Sequence, residues 1–138
     1  MNLYLDSSVV VAWLLREPGR LPDPDSLDQA FASSLIELDV SRALRRQLAE
    51  RRLTQEDLDR LLDAAQVWFG RIGIVPLTRA VLRRAAGPFP TAVRALDAIH
   101  LATALMWRED TGDEVTFLTH DHQLRVAARA CRLAISRP

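Results

Sequence analysis

Short apolar runs alternate with longer amphipathic stretches along this chain, and that alternation sets the expected fold. "NLYLD" (2–6) is a brief apolar run closed by an acid and reads as a strand. "SSVVVAWLL" (7–15) follows as a helix with Ser7 or Ser8 as its cap, although its β-branched valines weaken the helical preference. "EPGRLPDPDS" (17–26) is a turn-rich loop, "SLDQAF" (26–31) a short helix, and "ASS" (32–34) a short strand or a cap. From Leu35 to Arg52 the residues Ile36, Val40, Ala43, Leu44 and Leu48 fall on one helical stripe. A second long helix is expected over 53–69: Thr54 opens a "TQED" capping pattern, and Leu58, Leu61, Leu62 and Ala65 share one face. "IGIVPL" (72–77) is strand-like, and "TRAVLRRAA" (78–86) is helical until "GPFP" (87–90) stops it. The helix holding "LDAIHLATALMW" is placed over 93–108, a strand "EVTFLT" over 114–119, a helix "DHQLRVAARAC" over 121–131 and a last strand "LAIS" over 133–136.

Strands that alternate with helices predict an α/β fold with a parallel sheet covered on both faces. The excess of helix predicts a small central sheet with a helical pair inserted at 35–70, and 138 residues without a linker or repeat predict one domain over 1–138. Composition adds limits. About half the residues are hydrophobic (49%), enough for a real core. Formal net charge is zero, so the whole molecule does not attract nucleic acid, although a local basic face still can. A single cysteine, Cys131, excludes an internal disulfide framework and fits a reducing compartment. The N-terminal stretch has an acid at its centre and no basic leader, and no apolar run approaches a membrane span. The expectation is a soluble cytoplasmic protein with no membrane partner. All 18 basic residues are arginine, which removes every mechanism that needs a lysine.

Asp97 is out of place in an otherwise apolar helix. A carboxylate beside a core stripe is costly unless it is exposed, paired or bound to a cation. Three other acids bear on it. Asp6 ends the first strand, Asp121 follows the strand "VTFLT", and an acid lies near the start of the 35–52 helix. In open α/β sheets ligands gather at the carboxyl ends of strands. Carboxylates gathered there repel one another until a divalent cation relieves them, and oxygen-only ligands favour Mg²⁺ or Mn²⁺. Each acid also has a purely structural role open to it: Asp6 as a helix cap, Asp97 as a first-turn acid favoured by the helix dipole, Asp121 as an N-cap.

"YLDSSVVVAWL", "SSLIELDVSRALRR", "LDAIHLATAL" and "FLTHDHQL", in this order, resemble the signature blocks of the PIN domain, and more narrowly of the VapC-type toxins of type II toxin–antitoxin systems. The resemblance spans residues 3 to 124 and implies a PIN-like three-layer α/β/α sandwich around the parallel sheet. It implies a ribonuclease that uses Mg²⁺ or Mn²⁺ to cleave phosphodiester bonds in RNA. By position Asp6 and Asp97 match the family's usual metal ligands, Asp121 takes the fourth acidic place with Thr119 nearby, and Ser8 matches the small polar residue after the first acid. The second acidic place is where the chain departs. The family pattern has a glutamate three residues before an "RAL"-like triplet, and here Asp39 stands before Arg42, Ala43 and Leu44. Glu37, two residues earlier, points about 200° away on a helix, so only one of the two can face the pocket. The expected catalytic set is Asp6, Asp39, Asp97 and Asp121, with Ser8 and Thr119 in support.

The resemblance also implies a homodimer and a cognate antitoxin that inhibits the enzyme and reaches operator DNA itself, so that DNA is met only through the antitoxin. Trp13, Leu14, Leu15 and Trp68 are candidates for such an interface or for the core. Arg42, Arg45, Arg46, Arg51 and Arg52 on one helix, with Arg83 and Arg84 on another, form either a solvated face or contacts to RNA phosphates. His100 reads as a packed or hydrogen-bonded helix residue, His120 and His122 as loop residues near the acids. Receiver-type and haloacid-dehalogenase-type phosphoryl chemistry is excluded by the missing lysine, and the latter also by Ser8 where it needs a second aspartate. A non-catalytic PIN module that only binds a partner is the remaining alternative.

Overall fold

A computed structural model of the chain describes residues 2–16, 25, 27 and 29–136. Its elements in chain order are β1 (Asn2–Leu5), α1 (Ser7–Leu14), β2 (Ala30–Ser33), α2 (Leu35–Ala49), α3 (Gln55–Arg71), β3 (Gly73–Val75), α4 (Arg79–Ala85), α5 (Ala95–Thr111), β4 (Val115–Leu118), α6 (His122–Ala130) and β5 (Ala134–Ser136). All strand pairs are parallel, in the order β3-β2-β1-β4-β5. The chain therefore winds outward from β1 through β2 to β3, then returns to place β4 on the other side of β1. The crevice between the carboxyl ends of β1 and β4 is the point where the winding reverses, and such points are where ligands bind in this class of sheet.

Side chains alternate strictly between the two faces of the sheet. Leu3, Leu5, Ala30, Ala32, Ile74 and Leu118 face α1 and the α2–α3 pair, where Val10, Ile36, Val40, Leu44, Leu58, Leu61 and Trp68 complete one core. Tyr4, Phe31, Val115, Phe117 and Ile135 face α5 and α6, where Leu101, Leu105, Leu124 and Ala128 complete the other. These two layers of helix on either side of one sheet are the expected sandwich, and α2 with α3 is the expected inserted pair. Thr54 and Asp57 form the reciprocal capping box that starts α3, and Gly112, at φ 75°, closes α5 in the left-handed conformation glycine tolerates.

Two local expectations fail. The helix placed over 26–31 is not one: Ala30 and Phe31 belong to β2, in parallel register with Leu3 and Tyr4. Residues 26 and 28 lie outside the described residues, as does most of the loop placed over 17–26. Pairing with β1, and the burial of Phe31 against Tyr4 and Trp107, outweigh the local helical preference. Neither Ser7 nor Ser8 caps α1 either. Asp6 occupies the N-cap position, and its side chain makes no capping bond. Of the interface candidates, Leu14 and Trp68 are buried and Trp13 packs edge-on against Trp68 with ring centroids 5.2 Å apart. Among the described residues no helix is long and apolar enough to cross a membrane.

Leu44 is wholly buried between the helical pair and the sheet. Leu44→Ala is expected to lower the unfolding free energy by about 2–5 kcal/mol, the range for a buried leucine whose cavity does not collapse. Urea denaturation of the two proteins measures it.

Candidate active site

The site is built outward from Asp6. The residue sits one position past β1, so the end of a largely buried strand fixes its backbone, and only 5% of it is exposed. Oδ2 accepts two hydroxyl protons, from Ser8 Oγ at 2.7 Å and from Thr119 Oγ1 at 2.8 Å. Each hydroxyl has one proton. Both are spent on Asp6, and both oxygens then accept backbone N–H groups, Ser8 Oγ from His120 and Thr119 Oγ1 from Asp121, each at 3.0 Å. The turn after β4 is thus fastened to the carboxylate that ends β1. Asp121 follows directly and caps α6, its Oδ1 accepting the N–H of Leu124. The structural role open to Asp121 is filled, while the one open to Asp6 is not.

Asp39 and Asp97 reach the crevice from α2 and α5. A pocket of about 450 Å³ opens there, lined by Asp6, Asp39, Asp97 and Asp121 together with Ser8 and His100. All four expected acids therefore meet one space, and Glu37 is exposed outside it. Asp97 is partly buried in the first turn of α5. Desolvation raises its carboxyl pKa above the usual range, and the negative charges of Asp121 and Asp6 raise it further. Asp39 accepts a hydrogen bond from His100 Nε2 at 2.9 Å. His100 is 2% exposed, and its other nitrogen lies 2.6 Å from the buried hydroxyl of Tyr4. Burial works against a protonated imidazole. The bond to Asp39 and the charges of Asp6, Asp39 and Asp97 outweigh it and raise the His100 pKa.

The arginines divide. Arg42 and Arg46, one turn apart on α2, line the pocket mouth, whereas Arg45, Arg51 and Arg52 do not, and Arg84 is held in a two-pronged pair with Glu109. Neither His120 nor His122 is among the lining residues. Sequence patterning did not single out Leu38 and Leu96. They stand 57% and 50% exposed at the same pocket, on the two helices that carry Asp39 and Asp97. An exposed leucine immediately before each acid was the available signal.

The PIN domain family matches residues 3–130. The chain belongs to the PIN-domain family. Within it the chain is of the VapC type: it is 32% identical to Ribonuclease VapC46 of Mycobacterium tuberculosis (strain ATCC 25618 / H37Rv) over 99% of this chain and 97% of that protein. Its identity to Ribonuclease VapC35 of M. tuberculosis (strain CDC 1551 / Oshkosh) is 30%, over 99% of this chain and 96% of that protein. Two solved structures share the fold. A toxin–antitoxin complex from Klebsiella pneumoniae has a chain that matches with TM-score 0.62 at 11% identity, over 99% of this chain and 96% of that one. A chain of FitAB bound to the IR36 DNA fragment matches with TM-score 0.67 at 18% identity, over 97% and 93%.

The donors of this PIN domain suit a hard divalent cation. They are carboxylate and hydroxyl oxygens, and the negative charges of Asp121 and Asp6, which add to desolvation in raising the pKa of Asp97, are ones a cation would relieve. Among the described residues no three acidic, histidine or cysteine side chains stand close enough to form a ready-made ion site, so an ion would hold some of the four acids through water or small rotations. Without a cation, an ionised Asp97 destabilises the fold. Its folded-state pKa lies above the unfolded one, so the penalty is complete above the folded pKa and absent below the unfolded one. Asp97→Asn is therefore expected to raise the melting temperature of the cation-free protein at pH 7, with a gain that shrinks as the pH falls through the folded pKa of Asp97. Scanning fluorimetry in EDTA from pH 7 to pH 4 checks this, and a lower melting temperature at pH 7 contradicts it.

Proposed function

We propose that this chain is a Mg²⁺- or Mn²⁺-dependent ribonuclease that acts as the toxin of a toxin–antitoxin pair. The observation that carries the reading is the meeting of Asp6, Asp39, Asp97 and Asp121 in one pocket at the sheet crevice, in a chain 32% identical to a VapC ribonuclease. Asp6 and Asp97 would be the principal ligands, with Asp39 and Asp121 completing the site directly or through water. A bound cation would neutralise the phosphate and lower the pKa of a water molecule. The chain's own residues do the rest. Ser8 and Thr119 fix one oxygen of Asp6 and leave Oδ1 toward the pocket. Arg42 and Arg46 offer phosphate contacts beside the acids, and the whole-protein charge of zero makes that local pair the attraction for RNA.

The antitoxin reading rests on the same mouth. Leu38 and Leu96 present apolar surface on either side of an acidic pocket, which suits an inhibitory segment carrying both apolar and basic side chains. A homodimer, with operator DNA met only through the antitoxin, and a cytoplasmic location belong to this reading as well.

Purified protein freed of antitoxin is expected to cleave RNA in Mg²⁺ or Mn²⁺ and to lose that activity in EDTA. Asp39→Asn is expected to cut cleavage on the order of 100-fold, as loss of a metal-site partner can, and Glu37→Gln to change it little. Full activity in EDTA overturns the metal reading, and a dead Glu37→Gln beside an active Asp39→Asn overturns the site. A folded protein that is inert with every divalent ion and still binds an antitoxin returns the non-catalytic alternative.

A further inference from the structure

A buried line of hydrogen bonds ends on Asp39. The backbone N–H of Ser33, on β2, lies 3.3 Å from the Tyr4 hydroxyl on β1 and donates to it. That hydroxyl lies 2.6 Å from Nδ1 of His100 on α5, and Nε2 of His100 lies 2.9 Å from Oδ2 of Asp39 on α2. Counting protons gives the line its direction. An ionised carboxylate can only accept, so His100 Nε2 carries a proton and donates it to Asp39. In the neutral imidazole Nδ1 is then the acceptor and takes the Tyr4 hydroxyl proton. A protonated imidazole also donates from Nε2, so that bond has the same sense in either state.

Three features set this line apart from ordinary core packing. Among the described residues it provides the one hydrogen bond to the Asp39 carboxylate, whose neighbours in sequence, Leu38 and Val40, offer no polar side chain. It is dry: Tyr4 and Ser33 are fully buried and His100 nearly so. Its last donor also stands between two acids of the pocket, Nε2 being 3.8 Å from Asp6 Oδ1. A donor fixed from behind by the sheet therefore sets both the rotamer of Asp39 and its spacing from Asp6. Groups that hydrogen-bond a ligand from behind orient it, and losing them commonly weakens metal binding 10- to 100-fold.

We propose that His100 is a positioning residue of the metal site, holding the Asp39 carboxylate at a fixed spacing from Asp6 while Tyr4 holds the imidazole. The inference rests on the metal-dependent reading above and extends it to two residues outside the four acids. Calorimetric titration of Mn²⁺ into the antitoxin-free protein tests it without relying on cleavage. Expected are Mn²⁺ binding by the parent protein and binding about tenfold weaker in His100→Ala. His100→Gln, which keeps an N–H donor, is expected to recover most of the loss. In an Asp39→Asn background His100→Ala is expected to add little, because its effect passes through Asp39. A merely structural histidine would lower the melting temperature and leave Mn²⁺ affinity alone, and that result overturns the proposal. Additive losses in the double variant also overturn it. If His100→Ala does not fold, Tyr4→Phe carries the test: it keeps the ring and drops the hydroxyl, and unchanged Mn²⁺ affinity there contradicts the proposal. A parent protein that binds no Mn²⁺ sinks the metal reading and this inference together, whereas normal binding in the parent and His100→Ala alike sinks the inference only.

Discussion

A carboxylate that is 5% exposed at the end of a buried strand has to be compensated, and the arrangement around Asp6 follows from that need. Two hydroxyls, one from the start of α1 and one from the turn after β4, donate to the same oxygen. Their lone pairs then take up backbone N–H groups of the β4–α6 turn. The carboxylate is thereby both satisfied and used: it joins two neighbouring strands at the edge where the winding of the sheet reverses. Asp121 is delivered to the pocket by the turn so fastened. The position of one acid thus depends on how the other is solvated.

Charge explains the remaining geometry. Four acids share a pocket in a protein whose net charge is zero, so the imbalance is local. Part of it is met inside the fold by the imidazole between Asp39 and Asp6, part at the mouth by Arg42 and Arg46. Asp97 lacks a bonded partner of this kind among the described residues, and desolvation together with the charges of Asp121 and Asp6 raises its pKa. A pocket with a surplus of negative charge, oxygen donors and flanking arginines has the electrostatics expected of a cation-assisted phosphodiesterase. The exposed leucines beside it add an apolar rim that RNA phosphates do not need.

The sandwich and the site were legible to different degrees. Helix and strand alternation is written in the spacing of apolar residues, and the register of Asp39 before Arg42, Ala43 and Leu44 named it rather than Glu37 as the acid that faces the pocket. β2 was not legible, because "SLDQAF" carries local helical preference and its last two residues, Ala30 and Phe31, join a strand only through pairing with Leu3 and Tyr4. The support of the acids was hidden for a similar reason. Ser8 and Thr119 lie 111 positions apart, Tyr4 and His100 lie 96 apart, and neither pairing has a signature within a sequence window. Sequence reading named Ser8 and Thr119 through resemblance to a family, and it took His100 for a packed or hydrogen-bonded helix residue, which agrees with its burial and its bonds but named no partner.

The central claim is that the crevice between β1 and β4 holds a divalent cation on Asp6 and Asp97. Anomalous diffraction from crystals of the protein soaked in Mn²⁺ tests it most directly. The account predicts a manganese peak within coordination distance of the carboxylates of Asp6 and Asp97, on the order of 2.2 Å from the oxygens. A peak elsewhere, or none in crystals that take up manganese at other sites, would contradict it.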